Sequence, residues 1–395
     1  MTAGVSAAVA AARSIAMFDL RPVVDRARAD VQRNLAQMEA AGQYILGPQV
    51  AAFEAEFAHA MGAVHSVGVG TGTAAIELCL RAAGIVRPDQ DVIVPALTSL
   101  FTAQAVLSAG ASLALADVNP STLLLDAASL EQAWTPRTAA VIAVHLYGQP
   151  CDLEAISALC RARGAVLIQD ACQAHGARCN GRALTDYSPF VAYSFYPTKN
   201  LGCLGDGGAV VTGDARIASR LRKLRDGGRA GDQVARAPGI NSRLDEMHAC
   251  YLRAFLPHLD YWTHWRQQTA ACYDEYLKGI PDIAPVSTGA ESVRHLYVAR
   301  STRRDEIRTR LKELGVQTGI HYPVPLHLQP AFRKRARVGV SLWNSEQACR
   351  EILSLPLGPH ISVDEVRMIC AALTLIHGRL FRRSPGEGNT AAISR

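Results

Sequence analysis

The sequence predicts an α/β fold with two domains: a large domain, in which helices flank a mostly parallel, seven-stranded sheet, and a smaller α+β domain at the C-terminal end. From residue 63 onward, short apolar segments alternate with helical ones, which is typical of a parallel sheet covered on both faces. A chain of 395 residues is longer than one hydrophobic core usually supports, so we expect two domains. After residue 244 the pattern changes to long helices with a single strand.

The N-terminal part of the large domain is expected to form two helices between residues 21 and 60, separated by a turn at 45–48. Val50, Phe53 and Phe57 recur at spacings of three and four and so form one apolar helix face. A helix is expected at 73–83. The predicted strands are short apolar segments, at residues 67–69, 91–95, 113–116, 139–144, 166–169, 190–194 and 209–212.

The C-terminal domain is expected to begin within a helical region, 244–277, that is interrupted near Pro257. A strand at 293–301, a helix at 305–314 and a last helix ending near residue 376 follow. We therefore expect an N-terminal extension (1–16), a large domain (17–260), a small domain (261–378) and a polar tail (379–395), the extension and the tail being disordered. Met17 is an alternative natural start, since the Ala-rich segment before it lacks the basic region of a signal peptide.

Composition narrows the class of protein. Apolar residues make up 49% of the chain and charged residues 19%, as in a globular enzyme. The net charge is +6, but the basic residues are dispersed and not interleaved with aromatic ones, so we expect no nucleic-acid partner. No apolar segment reaches the ~20 residues of a membrane span. The ten cysteines lack metal-site spacing, so we expect no metal, and free thiols suit the cytoplasm.

Two residues indicate chemistry based on pyridoxal phosphate (PLP). Asp170 ends one buried strand, and Lys199 follows another in the segment Ser194-Phe195-Tyr196-Pro197-Thr198-Lys199. A lysine amine condenses with the cofactor's aldehyde, and a carboxylate keeps the pyridine nitrogen protonated so that the ring accepts electrons. Gln173, three residues after the acid, would face the ring's phenolic oxygen, and Ser194 could add a hydroxyl to the phosphate. We expect His175 to be a structural hydrogen-bonding residue.

A glycine-rich turn supplies a candidate phosphate site. The segment Val67-Gly68-Val69-Gly70-Thr71-Gly72-Thr73 leads from a strand into a helix, where backbone amides and the helix dipole favour an anion. Gly72 and Thr73 are the candidate contacts. An ordinary turn capped by threonine explains this motif equally well. The motif is neither a Walker loop nor a dinucleotide fingerprint.

With these residues in place, the chain resembles the DegT/DnrJ/EryC1/StrS family of PLP-dependent sugar aminotransferases from about Phe18 to Leu373. Six blocks carry the resemblance: Tyr44–Pro48, His145–Pro150, Asp170–Gly176, Ser194–Gly208, Asn241–Glu246 and Gly319–Gln329. The resemblance implies a fold-type I aminotransferase that acts as a homodimer with shared active sites. It implies transfer of an amino group from L-glutamate, or glutamine, to a ketosugar carried on a nucleoside diphosphate.

The resemblance also assigns residues. Lys199 would be the Schiff-base lysine, Asp170 would face the pyridine nitrogen, and Gln173 would lie over the ring oxygen. Gly72, Thr73 and Ser194 would hold the phosphate, and Asn241 would reach the phosphate of the partner subunit's cofactor. His321 and Tyr322 resemble part of a sugar pocket, and the Gly319–Gln329 block is more similar to relatives that act at the 3-keto position than to those that act at the 4-keto position.

One position departs from the family pattern. The family commonly has an aromatic residue that stacks on the cofactor where this chain has Ser99, so Phe101 or another side chain must substitute or the cofactor is held less tightly. Related sugar 3-dehydratases carry histidine in place of Lys199, which argues against that activity here. A cyclitol (keto-inositol) aminotransferase and a non-catalytic regulatory or sensory protein remain as alternatives.

Overall fold

The structure, a computed structural model, describes residues 14–381, and the secondary structure follows the predicted order. The helices are α1 (Arg21–Ala41), α2 (Pro48–Ala60), α3 (Gly72–Ala82), α4 (Leu100–Ala109), α5 (Ala127–Ala133), α6 (Leu153–Ala162), α7 (Ala215–Leu224), α8 (Glu246–Phe255), α9 (Leu259–Tyr276), α10 (Arg304–Glu313), α11 (Trp343–Glu351) and α12 (Val363–Phe381). The strands are β1 (His65–Val69), β2 (Asp91–Pro95), β3 (Ser112–Ala116), β4 (Thr138–Val144), β5 (Val166–Asp170), β6 (Arg178–Cys179), β7 (Arg182–Ala183), β8 (Val191–Ser194), β9 (Gly208–Thr212), β10 (Ala284–Pro285), β11 (Tyr297–Arg300), β12 (Ala336–Arg337) and β13 (Ile352–Leu355).

The central sheet has the order β1-β9-β8-β5-β4-β2-β3-β12. Neighbouring strands are parallel except at β9, which runs antiparallel to both β1 and β8. All seven strands that the sequence predicted for the large domain are present, so the predicted fold class is confirmed. The eighth strand, β12, pairs with β3 and comes from a basic segment near residue 335 that was not predicted as a strand. The carboxyl ends of β1, β5 and β8 therefore lie on one edge of the sheet.

The N-terminal helices are fixed by contacts that are distant in sequence. Pro48 begins α2, where its missing amide hydrogen costs nothing. The carboxylate of Glu246 accepts hydrogen bonds from the amides of Gln49 (2.8 Å) and Val50 (2.8 Å), and so caps this helix from the start of α8. Because α1 and α2 both pack on α8, and α2 also packs on β1, these two helices belong to the body of the large domain rather than to a separate unit.

Two groups of buried apolar residues form the interior. The larger group surrounds the central sheet, and the smaller group fills the space between α9, α10, α12 and the antiparallel sheet β10-β11-β13. Helix α9 joins them, since Trp262 near its start is buried in the first group and Tyr273 near its end in the second. The strand β13 was not predicted, and the strand expected at 293–301 is shorter, at Tyr297–Arg300.

The termini differ from the expectation. The expected extension lies mostly outside the described residues, but Ile15 within it is buried in the smaller group and pairs with Val316. The last helix continues to Phe381, into the expected tail, whose remaining residues also lie outside the described part. Among the helices between residues 14 and 381, none combines the length and apolar character that a membrane span requires.

Candidate active site

A cavity of about 720 Å³ opens at the carboxyl edge of the central sheet, where α/β folds build their sites. Of the residues that the sequence assigned to the cofactor, to a stacking position beside it or to the sugar, the cavity brings together all but one: Gly72, Thr73, Ser99, Phe101, Asp170, Gln173, Ser194, Lys199, His321 and Tyr322 line it. We call it the main cavity. Asn241 is the exception, because it is exposed in a loop and pairs with Asp226 away from this cavity.

Lys199 lies in a tight turn just after β8. Its amide donates to the carbonyl oxygen of Tyr196 (2.9 Å), which fixes the turn, while its Nζ makes no hydrogen bond or ion pair with any residue of the described chain. Burial lowers the pKa of this lysine, and Cys172 and Asp170 oppose the shift. A neutral, unpaired amine in a cavity can act as a nucleophile and as a proton acceptor.

Asp170 is the last residue of β5, and its side chain is 5% exposed. Its Oδ2 accepts a hydrogen bond from the hydroxyl of Thr102 in α4 (2.8 Å), and its Oδ1 accepts one from the amide of Cys172 (3.1 Å). These two bonds fix the direction of the Asp170 carboxyl group. A buried carboxylate held in this way can pair with a protonated ring nitrogen.

Gln173 is held from both sides. Its Oε1 accepts from the amide of Tyr147 (2.6 Å), and its Nε2 donates to the hydroxyl of Tyr322 (3.2 Å). Because Tyr322 belongs to the C-terminal segment, this contact joins the two walls of the main cavity. Burial raises the pKa of Tyr322 to about 12, against the opposing effect of hydrogen bonds with Ser99 and Gln173, so its hydroxyl remains protonated at neutral pH.

The glycine-rich turn carries the start of α3. The sequence expected a threonine cap, and the capping residue is Thr71, whose hydroxyl accepts from the amide of Ala74 (3.0 Å). The first-turn amides of Gly72 and Thr73 have no partner within the helix and line the cavity. A Cβ on Gly72 would lie 2.6 Å from Cβ of Ser194 and 2.9 Å from the sulfur of Cys172, so only glycine fits.

Ser99 is the N-cap of α4 and accepts from the amide of Phe101 (3.4 Å). Its side chain therefore has a local structural use that an aromatic residue does not supply. Phe101 lines the main cavity but is 57% exposed, whereas Tyr322 lies beside Ser99 on the inner wall. Both aromatic side chains thus face the region that Ser99 leaves open.

Three histidines line the cavity, and burial lowers the pKa of each: to about 4 for His145 and His321, and well below the usual value for His295. The charge of Lys199 lowers the pKa of His295 and His321 further. Nδ1 of His145 accepts from the amide of Cys151 (3.1 Å), so its Nε2 donates to Gln169 (3.1 Å). All three are neutral at pH 7 and act as hydrogen-bonding groups rather than cations.

His175 does not line the cavity, and as predicted it makes a structural hydrogen bond, from Nε2 to the carbonyl oxygen of Ser194 (2.9 Å). Cys172 lines the cavity, and Cys203 is buried behind it. Within residues 14–381, no three His, Cys, Asp or Glu side chains are grouped as metal ligands would be.

Sequence reasoning missed four residues: Thr102, which orients Asp170; Tyr147, whose amide holds Gln173; His295; and Ser242. The hydroxyl of Ser242 accepts from the amide of Gly70 (3.0 Å) and so positions the glycine-rich turn from a distance of 172 residues. Thr102 lies three residues after Ser99, in a segment that was considered only for its missing aromatic residue. Tyr147 and Ser242 lie within the blocks His145–Pro150 and Asn241–Glu246 that carried the resemblance, but neither had been given a role. His295 gives no local signal, since long-range folding brings it to the site.

The residues of the main cavity fit PLP. The cavity contains one lysine whose pKa burial lowers, one buried carboxylate and, on the edge of the same sheet, a helix N-terminus from which glycine excludes any side chain. These three features match the cofactor's aldehyde, ring nitrogen and phosphate in turn.

Comparisons with known proteins agree with this geometry. The chain is 44% identical over 349 residues to the dTDP-3-amino-3,4,6-trideoxy-alpha-D-glucose transaminase of Streptomyces venezuelae, a match that covers 88% of this chain and 92% of the relative. It is 42% identical over 361 residues to the erythromycin biosynthesis sensory transduction protein EryC1 of Saccharopolyspora erythraea, covering 91% and 98%. The crystal structure of S. venezuelae DesV in complex with a ketimine intermediate superposes with a TM-score of 0.89 at 41% identity, covering 93% of this chain and 99% of that one.

The model of the DegT/DnrJ/EryC1/StrS aminotransferase family matches residues 25–374, nearly the whole of the described chain. The resemblance that the sequence blocks indicated is therefore confirmed, and with it PLP as the cofactor. The chain belongs to the DegT/DnrJ/EryC1/StrS family of PLP-dependent sugar aminotransferases.

Proposed function

We propose that the protein transfers an amino group from L-glutamate to the 3-keto carbon of a sugar carried on a nucleoside diphosphate. The observation that carries this proposal is the amine of Lys199, which has a lowered pKa and no partner within residues 14–381, in one cavity with the buried carboxylate of Asp170. The name of the 44% identical relative, a 3-amino sugar transaminase, supports the 3-position. L-Glutamine is the alternative donor.

When bound, PLP supplies an electron sink that stabilises negative charge on the substrate carbon that carries the amino group. Asp170, fixed by Thr102 and the amide of Cys172, would hold the ring nitrogen in its protonated form. Gln173 would contact the ring oxygen. The amides of Gly72 and Thr73, with the hydroxyl of Ser194, would hold the phosphate.

Lys199 does the proton transfer. Since burial lowers its pKa, Nζ is ready to accept a proton from the amino-bearing carbon of the donor and to return one to the acceptor. His295, His321 and Tyr322 face this amine from the opposite wall as neutral groups. Neutral donors and acceptors suit the hydroxyl groups of a sugar. Because these three side chains do not take up the proton, Lys199 is the group that accepts it.

We further propose a homodimer, in which Asn241 reaches the partner's cofactor phosphate. Large apolar side chains are exposed at the mouth of the main cavity and near Asn241: Tyr44, Ile45, Phe101, Tyr196 and Met247. A second copy would cover them.

We also propose that the chain divides into a large domain (17–260) and a small domain (261–378). All ten cysteines are free thiols, which supports the cytoplasm as the compartment.

The test is an absorption spectrum of the purified protein with PLP, before and after L-glutamate, followed by incubation with a 3-keto and a 4-keto dTDP-sugar. We expect glutamate to convert the bound cofactor to its pyridoxamine form, and amination of the 3-keto compound. Amination of the 4-keto compound alone would refute the 3-position.

A regulatory or sensory role is the second candidate, because the relative EryC1 carries that name. The same spectra separate the two. A bound cofactor that neither L-glutamate nor L-glutamine converts would favour the regulatory role, and conversion followed by amination of a keto-inositol but of neither sugar would favour a cyclitol substrate.

A further inference from the structure

Helix α9 carries a buried cation without a counter-charge. Arg266 is 6% exposed, and within residues 14–381 its hydrogen bonds come from Nη1 alone, to the carbonyl oxygens of His295 (3.3 Å) and Leu357 (3.1 Å). Its Nε is buried and has no partner. Burial lowers the pKa of this arginine to about 10, and no carboxylate opposes that shift. A buried, unpaired charge is costly, so the fold must offset it.

Arg266 lines a second cavity of about 30 Å³, which we call the rear cavity. It shares Phe18, Thr198 and Lys199 with the main cavity, so the two lie on adjacent sides of the lysine turn. Its remaining lining is mostly apolar and comes from the segment 19–24, the loop 200–204, α8, α9 and the segment 357–360.

The charge of the rear cavity is positive. Arg266 contributes a cationic guanidinium group, and the one carboxylate among the lining residues, Asp19, is bound by Nε and Nη2 of Arg21. His360 donates from Nε2 to the carbonyl oxygen of Ala16 (3.2 Å), and burial lowers its pKa, so it is neutral. No lining group is therefore free to neutralise Arg266.

We propose that the rear cavity binds a small inorganic anion of the size of chloride, held by the Nη2 group of Arg266, which makes no hydrogen bond within residues 14–381. A water molecule needs roughly 10–15 Å³ of such space, so about 30 Å³ admits a halide with one water but excludes a sugar, a nucleotide or a dicarboxylate. The ligand is distinct from both substrates and from the cofactor phosphate. It offsets the buried charge from behind the lysine turn.

The first test measures the melting temperature of the PLP-loaded protein in chloride against gluconate at constant ionic strength. Gluconate is too large for the rear cavity, and bound PLP keeps its own phosphate site filled. A site that binds only the folded state raises the melting temperature with the logarithm of the anion concentration. We expect this rise in the natural protein and its loss in Arg266→Gln. Arg220→Gln is the matched control, since Arg220 is an exposed arginine that also donates to a carbonyl oxygen.

A chloride effect that persists in Arg266→Gln would overturn the proposal, as would equal melting temperatures of the natural protein in both salts. If Arg266→Gln does not fold, the melting temperatures of Arg266→Lys in the two salts are compared instead. That variant keeps the positive charge but removes the planar set of N–H donors of the guanidinium group. A second measurement needs no variant: crystals grown in bromide should show an anomalous peak in the rear cavity beside Nη2 of Arg266. A peak absent there, with only water in the density, would refute the anion site.

Discussion

The two walls of the main cavity are built in different ways. On the cofactor wall, Gly72, Asp170 and Lys199 follow or end β1, β5 and β8, three strands of one sheet. On the opposite wall, His295, His321 and Tyr322 lie in irregular segments of the C-terminal part. The first wall is fixed by the ladder of strand hydrogen bonds, and the second by a few contacts between distant segments.

Hydrogen bonds between distant segments hold the opposite wall in place. The amide of His295 donates to the carbonyl oxygen of Tyr147 (2.9 Å), and the hydroxyl of Tyr147 donates to the carbonyl oxygen of His321 (2.5 Å). The amide of Leu326 donates to the carbonyl oxygen of Ala96 (2.9 Å). The difference implies that changes on the cofactor wall affect both halves of transamination, whereas changes on the opposite wall affect the ketosugar more than the amino donor.

The largest effect is expected from Lys199→Ala. Since this amine both carries the cofactor and moves the proton, turnover should fall by at least roughly 10⁴-fold in each half-reaction. Stopped-flow absorbance with L-glutamate, and product analysis with the ketosugar, measure the two halves. The melting temperature of the apoprotein should be unchanged within error, and substantial residual amination would contradict the assignment.

Thr102→Val is expected to slow both half-reactions by about tenfold, because it removes a hydrogen bond to a buried carboxylate. Thr102→Ser keeps the hydroxyl and should restore the rate, which a purely structural role for this threonine would not require. If Thr102→Val slows only the half-reaction with the ketosugar, then changes on the cofactor wall do not affect both half-reactions, and the comparison between the two walls is wrong.

Tyr322→Phe tests the opposite wall. The loss of the hydroxyl contacts with Gln173 and Ser99 should raise the KM for the ketosugar roughly fivefold, while the rate with L-glutamate changes little. Equal losses in both halves would instead place Tyr322 with the cofactor groups.

The smallest effect is expected from pH. Burial lowers the pKa of His145 and of His321 from 6.5 to about 4, so the unfolded chain binds protons below pH 6.5 that the folded protein does not. Stability should therefore fall as the pH drops from 6.5 toward 4. The buried His145 contributes on the order of 3 kcal/mol at the acid end. Urea denaturation at pH 7, 6 and 5 measures this, and a constant midpoint would contradict it.

The cofactor wall could largely be predicted from the sequence. The predicted strands at 91–95 and 166–169 agree with β2 and β5 within one residue, because buried parallel strands are continuous apolar segments with polar ends. Asp170 and Lys199 were found in this way, since each stands directly after such a segment. The structure differs from the expected N-terminal extension at Ile15, where docking against the smaller core adds order that composition does not show. Helix α12 also continues past the expected end near residue 376, to Phe381.

The sequence by itself determined the sheet, the glycine-rich turn and the pair Asp170 and Lys199, because hydrophobic periodicity and backbone constraints act over a few residues. Only the tertiary structure decided that Thr102 orients Asp170, that Ser242 holds Gly70, that Tyr322 contacts Gln173 and that Nε of Arg266 is buried with no partner within residues 14–381. Each of these depends on which distant segments meet when the apolar surface is buried, and a hydrogen bond between residues 70 and 242 has no local signal in the chain.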